Sequence, residues 1–93
     1  MSTSVIYKYM LSPLDEQSIE MQVDAEVLSV QVKNGDLCIW SRQLWAGAQL
    51  GKAPRRFTIV GTGNEFDLER AGAYVGTVQM PPFVWHVFES RYA

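Results

Sequence analysis

The chain holds one histidine, His86, and one cysteine, Cys38. That count limits the chemistry from the start. A metal centre needs two or more His, Cys or carboxylate ligands at matched spacing, and one His and one Cys supply no such set. General-base catalysis through His86 would need a partner nucleophile and an orienting group. On the last strand His86 shares a face with Val84 and Phe88, which fits a structural, hydrogen-bonded ring. Cys38 fits a half-buried small residue. Gly61-Thr62-Gly63-Asn64 has the look of a phosphate loop but lacks the Lys of a Walker loop, the third Gly of a dinucleotide fingerprint and any following amphipathic helix. It reads as a strand-ending turn, or as backbone amides offered to an anion or a partner's carboxylate. The basic cluster Lys52, Arg55 and Arg56 around Pro54 reads as a solubilising loop, or as the charged part of that anion site. No catalytic constellation emerges, so we expect neither an enzyme nor a bound cofactor.

The aromatic residues are the larger surplus. Trp40, Trp45, Trp85, Tyr7, Tyr9, Tyr74, Tyr92 and four phenylalanines exceed what one side of a small sheet buries easily. They either close a two-layer core or form an exposed interface patch. Trp40, Trp45, Tyr74 and Trp85 are the candidate contact residues. Arg55, Arg56, Gly61, Thr62, Gly63 and Asn64 are the candidate anion donors.

The elements that must position these residues are strands. Alternation of period two runs through Val5–Leu11, Ile19–Val23, Arg55–Val60, Tyr74–Met80 and Phe83–Ser90, and helical periodicity is nearly absent. Lys33-Asn34-Gly35-Asp36 is the best local signal, because Asn-Gly favours a two-residue type I′ hairpin loop. That turn sets Lys33 opposite Asp36, Val30 opposite Ile39, Ser29 opposite Trp40, Leu28 opposite Ser41 and Val27 opposite Arg42. Residues 46–54 are small and aperiodic and read as a loop able to order on contact. Residues 65–72 have room for one helical turn at most. About seven short strands with frequent turns predict an all-β antiparallel sandwich or small open barrel.

Ninety-three residues, 47% of them hydrophobic, suit one domain over 1–93 that buries roughly 64% of its unfolded surface. Eight basic against ten acidic residues argue against nucleic acid as a partner, since phosphate contacts demand a basic excess. No apolar run approaches the length of a membrane span. The first nine residues do not pattern as a secretory signal. A lone cysteine fits a reducing compartment.

Val5-Ile6-Tyr7-Lys8-Tyr9, Ile19-Glu20-Met21, the Val30–Trp40 hairpin, Arg56-Phe57, Val60-Gly61-Thr62-Gly63, Tyr74-Val75-Gly76-Thr77 and Val84-Trp85-His86-Val87-Phe88-Glu89 together resemble an uncharacterised family of small tailed-phage and prophage proteins, a domain of unknown function. The resemblance departs at Gln22, where such sequences often carry Pro. It implies expression in a bacterial host cytoplasm and assigns no catalytic residue. The expected function is a homo-oligomeric, most simply dimeric, protein-interaction module acting on itself or a host protein. The alternative is a binder of a small anionic ligand, such as a nucleotide, that counters host defence.

Overall fold

The computed structural model describes residues 3–90, with the side chains of 47 and 48 left undescribed; Tyr92 of the aromatic set lies outside them. Seven strands form: β1 Ser4–Leu11, β2 Glu16–Gln22, β3 Glu26–Lys33, β4 Asp36–Leu44, β5 Lys52–Gly61, β6 Ala73–Met80 and β7 Phe83–Ser90. They make two antiparallel sheets, β1-β4-β3 and β2-β5-β7-β6. The all-β expectation holds as a sandwich.

The hairpin turns at Asn34 (φ 53°) and Gly35 (φ 80°), both left-handed as a type I′ loop requires. Its register matches from Lys33–Asp36 to Ser29–Trp40, and then a β-bulge between Val27 and Ser29 moves Val27 opposite Ser41. The expected Leu28–Ser41 and Val27–Arg42 pairs therefore do not form. The bulge takes Leu28 out of the ladder and leaves it exposed.

The 46–54 loop is also shorter than expected. A 3-10 turn spans Gly47–Leu50, and β5 already begins at Lys52. Pro54 is tolerated because it pairs with Glu20 on the β2 side while the β7 ladder reaches β5 only at Arg56.

Apolar positions of alternate parity meet between the sheets. Leu11, Met21, Val30, Leu37, Ile39, Phe57, Ile59, Val78 and Val87 form the main core, with Tyr9, Val75 and Trp85 packed against it. A smaller cluster of Val60, Ala71 and Phe88 lies on the other side of the four-stranded sheet. It exists because residues 62–72 fold back over that face, ending in the single helical turn α1 (Leu68–Ala71), which Asp67 caps through the amides of Glu69 and Arg70.

Candidate functional site

Two surfaces could do chemistry or binding, one on the outside of each sheet.

On the four-stranded sheet, the returning segment 62–72 raises a ridge with a cleft on either side. The first cleft, 410 Å³, is lined by Asp15, Glu16, Glu65, Phe66, Asp67 and Arg70 among others. It is acidic. Arg70 does not offset this, because its Nε and Nη2 donate to the two oxygens of Glu16 at 2.8 and 3.0 Å. That pairing holds the Glu16 carboxyl below the usual carboxylate range and the Arg70 guanidinium above its own. The second cleft, 330 Å³, is lined by Thr62, Asn64, Phe66, Tyr74, Thr77, His86 and Phe88. Its polar floor is one chain of hydrogen bonds. Thr62 Oγ1 meets His86 Nε2 at 2.8 Å, Thr77 Oγ1 meets His86 Nδ1 at 2.9 Å, and Tyr74 hydroxyl meets Thr77 Oγ1. The neutral imidazole has one donor and one acceptor, and both are engaged. His86 is thereby a ring fixed by two hydroxyls. Phe66 and Tyr74 pack on Phe88 with ring centroids 5.0 and 5.5 Å apart.

The outer face of the three-stranded sheet carries no covering segment among the described residues. By alternation it carries Ile6, Lys8 and Met10 of β1, Cys38, Trp40 and Arg42 of β4, and Ser29, Gln31 and Lys33 of β3. Ile6 is 59% and Met10 50% exposed. Trp40, half-buried at the centre, donates from Nε1 to Gln31 Oε1 at 2.7 Å, with Lys33 Nζ 5.6 Å from the ring centroid. Cys38, 1% exposed, is more deeply buried than expected and sits between Met10 and Gln31 in the ladders. Arg42 pairs with Glu26 at 3.0 Å.

The structure disperses the sequence-derived sets. Trp40 stays on the outer face of the three-stranded sheet. Trp45, 66% exposed, lies in the turn beyond β4. Tyr74 lies on the opposite sheet, and Trp85 turns inward, stacked on Phe83 at 5.0 Å and packed against the core. Nor do the two arginines act together, because neighbouring strand residues point to opposite faces. Arg55 enters the sandwich, 3% exposed, with Nε 3.3 Å from Glu89 Oε2 and Nη2 donating to the Ala25 carbonyl. Arg56 lies on the outer face and donates to the Arg70 carbonyl at 2.6 Å. Gly61 is five residues along β5 from Arg56, about 17 Å. The turn Gly61–Asn64, closed by Asn64 N–H to Gly61 O at 3.1 Å, thus has neither Arg55 nor Arg56 beside it and borders the acidic cleft, whose arginine, Arg70, is paired with Glu16. The His86 chain escaped sequence reasoning. Thr77 faces His86 by plain counting from the two-residue β6–β7 hairpin between Met80 and Phe83, and a second bulge, between Tyr74 and Gly76, brings Tyr74 onto the same face.

Among the described residues no three His, Cys, Asp or Glu side chains gather as a metal site. No helix among the described residues is long and apolar enough to cross a membrane. A model of the family described as "Domain of unknown function (DUF7352)" matches residues 2–93. The chain belongs to that family. No curated protein and no solved structure matches it.

Proposed function

We propose that this DUF7352 protein is a non-enzymatic phage or prophage accessory protein that works in the bacterial cytoplasm as an oligomeric protein-interaction module. The observation that carries the reading is the bare outer face of the three-stranded sheet, where Ile6 and Met10 stand exposed beside Trp40. Exposed apolar side chains interspersed with Lys8, Lys33 and Arg42 fit a protein partner better than a small molecule. The loss of Arg55 to the interior and the acidity of the neighbouring cleft weigh against an anionic ligand at residues 61–64.

The test combines binding with ligand screening. A host protein captured by the wild-type chain should be lost from Trp40→Ala and from Met10→Lys, while both variants keep cooperative melting. A panel of nucleotides and cyclic dinucleotides should leave the melting temperature unchanged. Saturating ligand at about 100 times its Kd would instead stabilise by roughly 2.7 kcal/mol, and such a shift would replace this reading with the ligand-binding one.

A further inference from the structure

A sheet edge is a row of unpaired backbone donors and acceptors, and proteins normally blunt it. Three of the four edges here are blunted. β3 and β6 each carry a bulge. β2 presents Glu16 and Glu20 on its outer face, with Glu16 tied to Arg70. β1 has neither a bulge nor an ion-paired outer face, and Lys8 is its one charged side chain. Its sequence, Ser-Val-Ile-Tyr-Lys-Tyr-Met-Leu, has no Pro or Gly and one charge, and its eight pairs with β4 run without a register shift.

The direction of its free groups follows from one bond. Trp45 N–H donates to the Thr3 carbonyl at 2.8 Å, which continues the β1–β4 register and makes Thr3 a hydrogen-bonded position. Such positions alternate in an antiparallel ladder, so Val5, Tyr7, Tyr9 and Leu11 bond to β4. Ser4, Ile6, Lys8 and Met10 therefore turn both backbone groups to the open edge. No backbone bond within the described residues takes these groups up.

We infer that β1 is a self-pairing edge: two copies join antiparallel through it, about a two-fold axis at Tyr7, into one six-stranded sheet. This deepens the oligomeric part of the proposed function and rests on it. An axis perpendicular to the sheet keeps inner faces on the same side, so each residue must oppose one of its own parity. Centring on Lys8 would set two ammonium groups face to face. Centring on Ile6 would leave Met10 without a partner. Centring on Tyr7 pairs Ile6 with Lys8 of the partner subunit and Ser4 with Met10 of the partner subunit, using every free group of the strand. The two bare outer faces then become one continuous surface on one side of the dimer.

The parity of β1 supplies the test. Lys8→Pro removes an N–H that points to the open edge, whereas Tyr7→Pro removes one that serves β4. Sedimentation equilibrium should give twice the 10.5 kDa chain mass for wild type and a single chain for Lys8→Pro, which keeps its melting transition. Tyr7→Pro should lose stability as a monomer. In the Tyr7-centred register the two Tyr7 Cα atoms lie about 4.5 Å apart, inside disulfide range, so Tyr7→Cys should oxidise to a linked dimer and Val5→Cys should not. A wild-type monomer at several hundred micromolar overturns the inference. So does a dimer that survives Lys8→Pro, or one that links through Val5→Cys instead. Partner capture separates the two ideas: a wild-type chain that is monomeric yet binds the host protein through Trp40 sinks the edge and leaves the interaction module standing.

Discussion

The outer faces of the two sheets start from the same alternating strands and end as opposites. Above the three-stranded sheet, β3 and β4 are joined by the two-residue turn Asn34-Gly35. So short a connection has nothing to fold back with, and Ile6, Met10 and Trp40 remain at the surface. Above the four-stranded sheet, β5 and β6 are joined by residues 62–72, which return across their own sheet and bury Val60, Ala71 and Phe88. Connection length decides which face is clad and which is bare. The clad face gains clefts, an acidic rim and a fixed histidine. The bare face keeps its apolar side chains for something outside the chain.

The sharpest way to break this contrast is to lift the cladding. Gly72 ends α1 with φ 89°, and a Cβ there would run into the carbonyl oxygen of Glu89 on β7. Gly35, in the bare-face hairpin, has a similar φ of 80° with open space around it. Gly72→Ala should therefore cost about 3 kcal/mol or more, backbone strain plus steric conflict. Gly35→Ala should cost about 1–2 kcal/mol, strain alone. Denaturant unfolding of both variants checks the order. Equal losses would mean that the segment 62–72 is not seated on the sheet as described.

A smaller effect separates side chains that stabilise the fold from those that are free for a partner. Phe66→Ala removes a ring from Phe88 and should lower stability by about 1 kcal/mol or somewhat more. Ile6→Ser on the bare face should stay within about 0.5 kcal/mol of wild type. Calorimetric melting of the isolated chain at low concentration gives the comparison. If Ile6→Ser destabilised as much as Phe66→Ala, the bare face would be part of the folded core.

Most of the strand order was legible because alternation is a local property. All seven strands were expected near their observed positions, and the hairpin register was right wherever the ladder stayed regular. The misses have physical causes. The bulge at Leu28 is a choice of backbone geometry that its apolar side chain does not announce. The early start of β5 was hidden by Pro54, which sequence reasoning took as a loop marker although it is harmless where the β7 ladder has not begun. The separation of Arg55 from Arg56 was available in principle, since period two forbids adjacent strand residues a common face. Thr77 opposite His86 was available in principle, by counting back from the Pro81-Pro82 turn. The rest of the cluster was not, because Tyr74 joins that face only through the β6–β7 bulge and Thr62 lies beyond the last β5–β7 pair.

The smallest expected effect concerns charge at the edge of the cladding. Glu16 on β2 and Arg70 on α1 hold the segment 62–72 to the sheet by two hydrogen bonds, and both side chains are substantially exposed. The hydrogen bond from Arg70 is the main cause that lowers the Glu16 carboxyl, with the charges of Arg70 and Arg56 adding and partial desolvation opposing. The sign follows directly. A carboxyl whose folded value is depressed contributes stability that is fully present above its ordinary value, about 4.3. That contribution is lost as the pH falls through the lower folded value. Solvent and salt screen an exposed pair, so Arg70→Gln should leave melting at neutral pH nearly unchanged. Its effect should appear in NMR titration of the Glu16 carboxyl, which moves back up towards the ordinary range in Arg70→Gln and part of the way in concentrated salt. A Glu16 that titrates normally in wild type, or one indifferent to Arg70→Gln, would show that the cladding is held by Phe66, Ala71 and the bond from Arg56 to the Arg70 carbonyl without the ion pair. The ion pair would then be only a neighbour of the clad face.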